Sequence, residues 1–142
     1  SEQPETRVMM DFALSERHTA SLVFHEGAVV ANYPNDGLPD RSTRSNRYSK
    51  SPDDKTFRRL ARVYSDHHLT MHQSKEFAHG ITNGAHWYPV YGGMQDWMYY
   101  AAGTMEITLE LSVQKWPAWT TMAERWRENF GALKAYAEEV AF

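Results

Sequence analysis

The sequence predicts an α/β layer architecture, with helices packed on a β-sheet. Two observations near the N-terminus point to strands: "ASLVF" and "AVVANY" are short runs rich in β-branched and aromatic residues. A third run, "MEITLELS", lies far downstream. Around these runs the apolar residues recur at helical spacing, which gives the order helix, strand, strand, helix, helix, strand, helix.

The first helix opens at Pro4-Glu5-Thr6, because proline suits a first turn and an acid suits its positive end. Its apolar stripe is Val8, Met9, Phe12 and Ala13. Strands follow at residues 19–24 and 28–33, separated by His25-Glu26-Gly27. Apolar runs this continuous fit strands covered on both faces. Residues 34–52, dense in Pro, Gly, Ser, Asn and charge, read as a long surface loop. Ser51-Pro52-Asp53-Asp54 signals a helix running to about Gln73, with Phe57, Leu60, Ala61, Tyr64 and Met71 roughly on one face. Residues 74–93 read as loop, "MQDWMYYAAG" as a short helix ended by Gly103, and 105–111 as a strand. A last helix, from about Trp119 to Val140, carries the stripe Trp119, Met122, Trp126, Phe130, Leu133, Ala137 and Val140.

The 142 residues are the size of one domain, and the balance of 42% apolar to 23% charged residues fits a packed core. Aromatic residues at 13% favour an aromatic-lined cleft as well. A net charge of −3 gives no electrostatic footprint for nucleic acid. No apolar run reaches the length of a membrane span. The chain has no cysteine, so thiolates cannot serve as metal ligands within it.

Side chains alternate along a strand. Ile107, Leu109 and Leu111 therefore share one face, and Glu106, Thr108 and Glu110 share the other. Burying carboxylates is costly unless they are paired or used. The residues alone leave two readings open, a solvated polar face and an active-site acid.

Longer strings carry a resemblance. "HEGAVVANYP" resembles the His-Gly-Gly-Ala run of zinc metallocarboxypeptidases of the regulatory (N/E) subfamily, the group of carboxypeptidases D, E, M, N and Z. "YSKSPDD", "GITNGAHWYPVYGGMQDWMY" and "EITLELS" followed by "KWP" are similar to the same subfamily, in the same order. The resemblance implies a mixed-sheet α/β/α fold and removal of C-terminal Lys or Arg from peptides or proteins. It also implies a secreted or secretory-pathway setting.

It assigns roles residue by residue. His25 matches a zinc ligand, where a lone histidine would otherwise read as a core residue. Glu110 matches the general base and acid that works on the zinc-bound water. Tyr88, 22 residues before Glu110, matches a mobile tyrosine that closes over substrate. Asp36, eleven residues after His25, matches the acid at the base of the pocket for a basic side chain, although its "PNDG" context also reads as a plain turn. Gln95 matches a wall residue of that pocket. Glu106 is expected to be structural, bonded to a neighbouring strand or helix.

A hydrolytic zinc site needs three protein ligands and a water. The family draws two of them from an upstream His-x-x-Glu, a motif absent from this sequence. The resemblance thus implies that residues 1–142 are the C-terminal half of a catalytic domain. A complementary N-terminal half would carry His-x-x-Glu and the Asn-Arg pair that grips the substrate's terminal carboxylate. His68 and His72 have helical metal-pair spacing, but an exposed helix face is the expected reading. Glu26 stands where the family has Gly, and Met98 where it has Asn. These departures support an alternative, a non-catalytic carboxypeptidase-like binding module or assembly subunit.

Overall fold

A computed structural model describes residues 2–41 and 45–141, and its fold class is the expected α/β. Helix α1 (Pro4–Glu16) starts on its proline and stops where Arg17 turns left-handed at φ 50°. Only Ala13 of its expected stripe is buried, while Val8, Met9 and Phe12 remain exposed. Strands β1 (Ala20–His25) and β2 (Ala28–Tyr33) lie within a residue of their expected positions.

They are not neighbours in the sheet. Strand β4 (Met105–Ser112) inserts between them, parallel to β1 and antiparallel to β2, and the short β3 (Ile81–Asn83) pairs in parallel with β2. The sheet order is β1-β4-β2-β3. The link His25-Glu26-Gly27 therefore crosses the end of β4. Gly27 makes the crossing possible at φ 138°, a conformation side chains resist, and its N–H donates to Ser112 O at 2.7 Å.

Helices α2 (Asp54–His67) and α5 (Met122–Ala141) cover one face of the sheet. Phe57, Leu60, Ala61 and Tyr64 of α2 meet Ala31, Tyr33, Ile107 and Leu109 of the strands and Ala132 and Tyr136 of α5 in a single core. Two further helices are short. Helix α3 (Gly84–Trp87) is capped by the Asn83 side chain, and α4 (Met94–Trp97) continues as a π-turn over Met98–Ala102 to the left-handed Gly103. Among the described residues no helix is long and apolar enough to cross a membrane.

Five expectations need correction. Strand β1 is not covered on both faces; it is an edge strand, and Phe24 near its end is exposed. Helix α2 stops at His67, because His68 is extended and its Nδ1 accepts the N–H groups of Thr70 and Met71, which turns the chain. His68 is consequently buried, not on an exposed helix face, and burial pushes its imidazole down to about 4. Residues 74–93 hold β3 and α3, which are too short to show a period.

The stripe of α5 holds only toward its C-terminal end, where Leu133 and Val140 pack against the core. Trp119, Met122, Trp126 and Phe130 are 84%, 46%, 58% and 53% exposed, while Asn129, Ala132 and Tyr136 face inward. Asn129 turns in because its Oδ1 accepts the buried Tyr64 hydroxyl at 2.6 Å. The expected loop over 34–52 includes residues 42–44, which lie outside the described residues.

Candidate active site

The register of β1 on β4 places His25 beside Glu110, and the register of β2 places Val30 on the other side of Glu110. His25 and Glu110 point to the sheet face opposite α2 and α5. His25 Nδ1 lies 2.9 Å from Glu110 Oε1. Glu110 is buried, and its Oε2 has no hydrogen-bond partner among the described residues. The imidazole is the exposed member of the pair, with a side chain 54% accessible.

A cavity of about 340 Å³ opens on this face. His25, Asp36, Tyr88, Gln95 and Glu110 all line it, and no lysine or arginine among the described residues does. Tyr88 is exposed, with its ring 4.8 Å from that of Trp87. Burial and the charges of Glu110 and Asp36 raise its phenol above the usual range.

Asp36 and Gln95 are the deep members. Asp36 Oδ1 accepts Asn32 Nδ2 at 3.2 Å and Gln95 Nε2 at 2.8 Å. Gln95 is fixed in turn, since its Oε1 accepts the Thr108 N–H at 2.8 Å. Gly84 lies so close that a Cβ there would overlap Asp36 Oδ1. Burial, reinforced by Asp96, pushes the Asp36 carboxyl up to about 7, with Asn32 opposing the rise and Glu106 adding to it.

Sequence reasoning missed the group that holds this turn. The carboxylate of Asp96 accepts the Asp36 N–H at 2.9 Å and the Gly37 N–H at 3.0 Å. Asn32, four residues before Asp36, was also missed; its position on the same strand face as Val30 was the available signal.

The two departures noted in the sequence take definite places. Glu26 sits at the end of β4 and does not line the cavity. One of its oxygens is buried without a partner among the described residues. Its carboxyl is raised by burial and by Glu110, against Arg125 and His25. Met98 is buried and lines a second cavity beneath α1, with Met9 and Phe12.

Zinc fits this arrangement in donor type but not in donor number. His25 offers an accessible imidazole beside a carboxylate. No group of three or more His, Cys, Asp or Glu among the described residues could hold a metal ion.

Comparison with known proteins gives the same direction throughout. The zinc carboxypeptidase family profile matches residues 1–132. The chain is 51% identical over 127 residues to carboxypeptidase SOL1 of Arabidopsis thaliana, covering 89% of this chain and 25% of that protein. It is 44% identical over 146 residues to carboxypeptidase E of Caenorhabditis elegans, covering 94% of this chain and 31% of that protein. It is 42% identical over 137 residues to carboxypeptidase D of Drosophila melanogaster, covering 94% of this chain and 10% of that protein. The chain thus spans a third or less of the length of these relatives.

Proposed function

This chain belongs to the zinc carboxypeptidase family, and from that premise we propose that it carries the general base and the side-chain pocket of an enzyme that removes C-terminal Lys or Arg. The observation that carries the reading is a single cavity with Glu110 paired to His25 on one wall and Asp36 on its floor, with no lysine or arginine among the described residues that line it.

In this reading the last side chain of a peptide enters the cavity and its cation meets Asp36. Burial in the empty pocket favours the protonated form of Asp36, and an arriving cation favours the ionised form. Gln95 and Asn32 fix the direction of the carboxylate, and Asp96 fixes the turn that presents it. Glu110 takes a proton from the attacking water and returns it to the leaving amine, with its unpartnered Oε2 as the available acceptor. Tyr88, half exposed beside the cavity, covers the bound residue.

His25 would be one ligand of the zinc, which supplies a Lewis acid when bound. The remaining ligands and the group that binds the terminal carboxylate come from residues beyond these 142, the expected His-x-x-Glu and Asn-Arg sets. Residues 1–142 then form the C-terminal half of a catalytic domain. A secretory setting is the reading that the resemblance favours, and the location of the tagged full-length protein tests it. The second reading, a non-catalytic binding module, draws on the single metal donor and on Glu26 beside Glu110.

The test is Asp36→Ala in the full-length protein, with release of C-terminal Arg and Lys as the readout. A buried cation deprived of its partner loses roughly 3–5 kcal/mol, so kcat/KM on basic substrates should fall by roughly 100-fold or more. Unchanged release of basic residues would refute the pocket. A complete absence of zinc and of turnover in the full-length protein would favour the binding module.

A further inference from the structure

Glu106 is the deepest acid of the site face, 1% exposed, and the general acid–base chemistry above does not use it. It lines the same cavity as Asp36 and Gln95. One of its oxygens is occupied, since Ser21 Oγ on the neighbouring strand donates to Oε2 at 2.7 Å. The other, Oε1, is buried with no hydrogen-bond partner among the described residues.

The expected structural role accounts for Oε2 and leaves Oε1 unexplained. A buried carboxylate oxygen without a donor is costly, and native structures rarely leave one. Asp36 shows a matching asymmetry. Both of its side-chain bonds fall on Oδ1, while Oδ2 faces Gly93, where a Cβ would stand 3.7 Å away. The cavity is therefore lined by two different carboxylates, each with one oxygen that no described donor holds, and Glu106 also borders the cavity beneath α1.

Resting on the proposed function, we propose that Glu106 is a second acceptor for the substrate's cation, making the floor a two-carboxylate clamp that prefers arginine to lysine. A guanidinium spreads five donors over a rigid plane and can bridge two separated acceptors, whereas an ammonium is a compact point charge. Position along the strand agrees. Glu106 and Glu110 face the same side four residues apart, roughly 13 Å along the strand at about 3.3 Å per residue. A residue being cut beside Glu110 reaches toward Glu106 only with a long side chain, and arginine is the longer of the two.

The experiment uses the full-length protein with Glu110→Gln to block turnover, and calorimetry with free arginine, lysine and citrulline. Arginine should bind roughly tenfold or more tightly than lysine, and citrulline, which has no charge, should bind weakest. Glu106→Gln keeps the shape and an acceptor for Ser21. Added to that background, it should weaken arginine by roughly 10- to 100-fold and lysine by much less. Peptides differing only in a final Arg or Lys, cleaved by the enzyme with Glu110 intact, should show the same shift, in KM more than in kcat. Equal binding of arginine and lysine to the Glu110→Gln protein overturns the clamp and leaves the proposed function standing, and this comparison needs no change at Glu106. Equal loss on both ligands in the Glu106→Gln protein also overturns it. Binding of neither amino acid overturns the proposed function itself.

Discussion

On one face of β4, Ile107 and Leu109 are sealed beneath α2 and α5. On the other, Glu106 and Glu110 are just as deeply buried, yet each keeps one carboxylate oxygen without a partner. Both faces are made by the same eight residues, two side-chain sets in alternation. The apolar face is satisfied by contact alone. The polar face is left unsatisfied within the described residues, as a surface is when its partner is a substrate. The proposed function places chemistry on the side of the strand opposite the stabilising core, and substitutions should separate the two.

The largest separation is expected at Glu110. Glu110→Gln in the full-length protein should lower kcat by roughly 10²- to 10⁴-fold if Glu110 carries the proton as proposed. Bound zinc and the urea midpoint should stay close to those of the parent protein, and a collapse of stability would mean the acid is structural.

Phe57→Ala is the converse. Phe57 is fully buried against the core face, and truncation should cost roughly 3–5 kcal/mol in denaturant unfolding. Any surviving folded fraction should keep the proposed preference for basic substrates. A changed Arg-to-neutral ratio would show that the two faces are coupled.

Asp36 tests the cost of holding the pocket ready. Its carboxyl moves from 3.8 to about 7 on folding, because burial disfavours the charged form. Below pH 4 both states are protonated. As pH rises from 4 through about 7, the unfolded chain releases its proton first, and the folded state loses stability relative to it. Asp36→Asn removes that loss. The variant should therefore gain on the parent between pH 4 and 8, by an amount of order 4 kcal/mol at most. Thermal melts across that range measure it, and a difference independent of pH would contradict the assignment.

The smallest effect belongs to neither face. Arg62 and Asp66 pair at 3.0 Å on the outer side of α2. Arg62→Ala should change stability by about 0.3–0.5 kcal/mol and leave activity untouched. A larger loss would place α2 in a role beyond the core.

The three long strands, the helices near 54–67 and 122–141 and the alternation that pairs Glu106 with Glu110 were all legible in the residues, because period and turn chemistry are local. The family, too, could be read from the quoted strings, and the comparisons show it. Three features were not legible. Periodicity says that α5 has an apolar stripe but not which side another element covers, and α2 approaches the side with Asn129 and Tyr136. His68 looked like half of an exposed pair, but its two backbone bonds exist only once the chain has turned. Strand order was hidden as well. The insertion of β4 between β1 and β2 makes His25 and Glu110 neighbours although 85 residues separate them. Sequence by itself determined which residues carry charge and, along β4, which of them share a face. Only the tertiary structure decided which of those charges meet, because meeting depends on long-range pairing, and on which acids are left with an oxygen to spare.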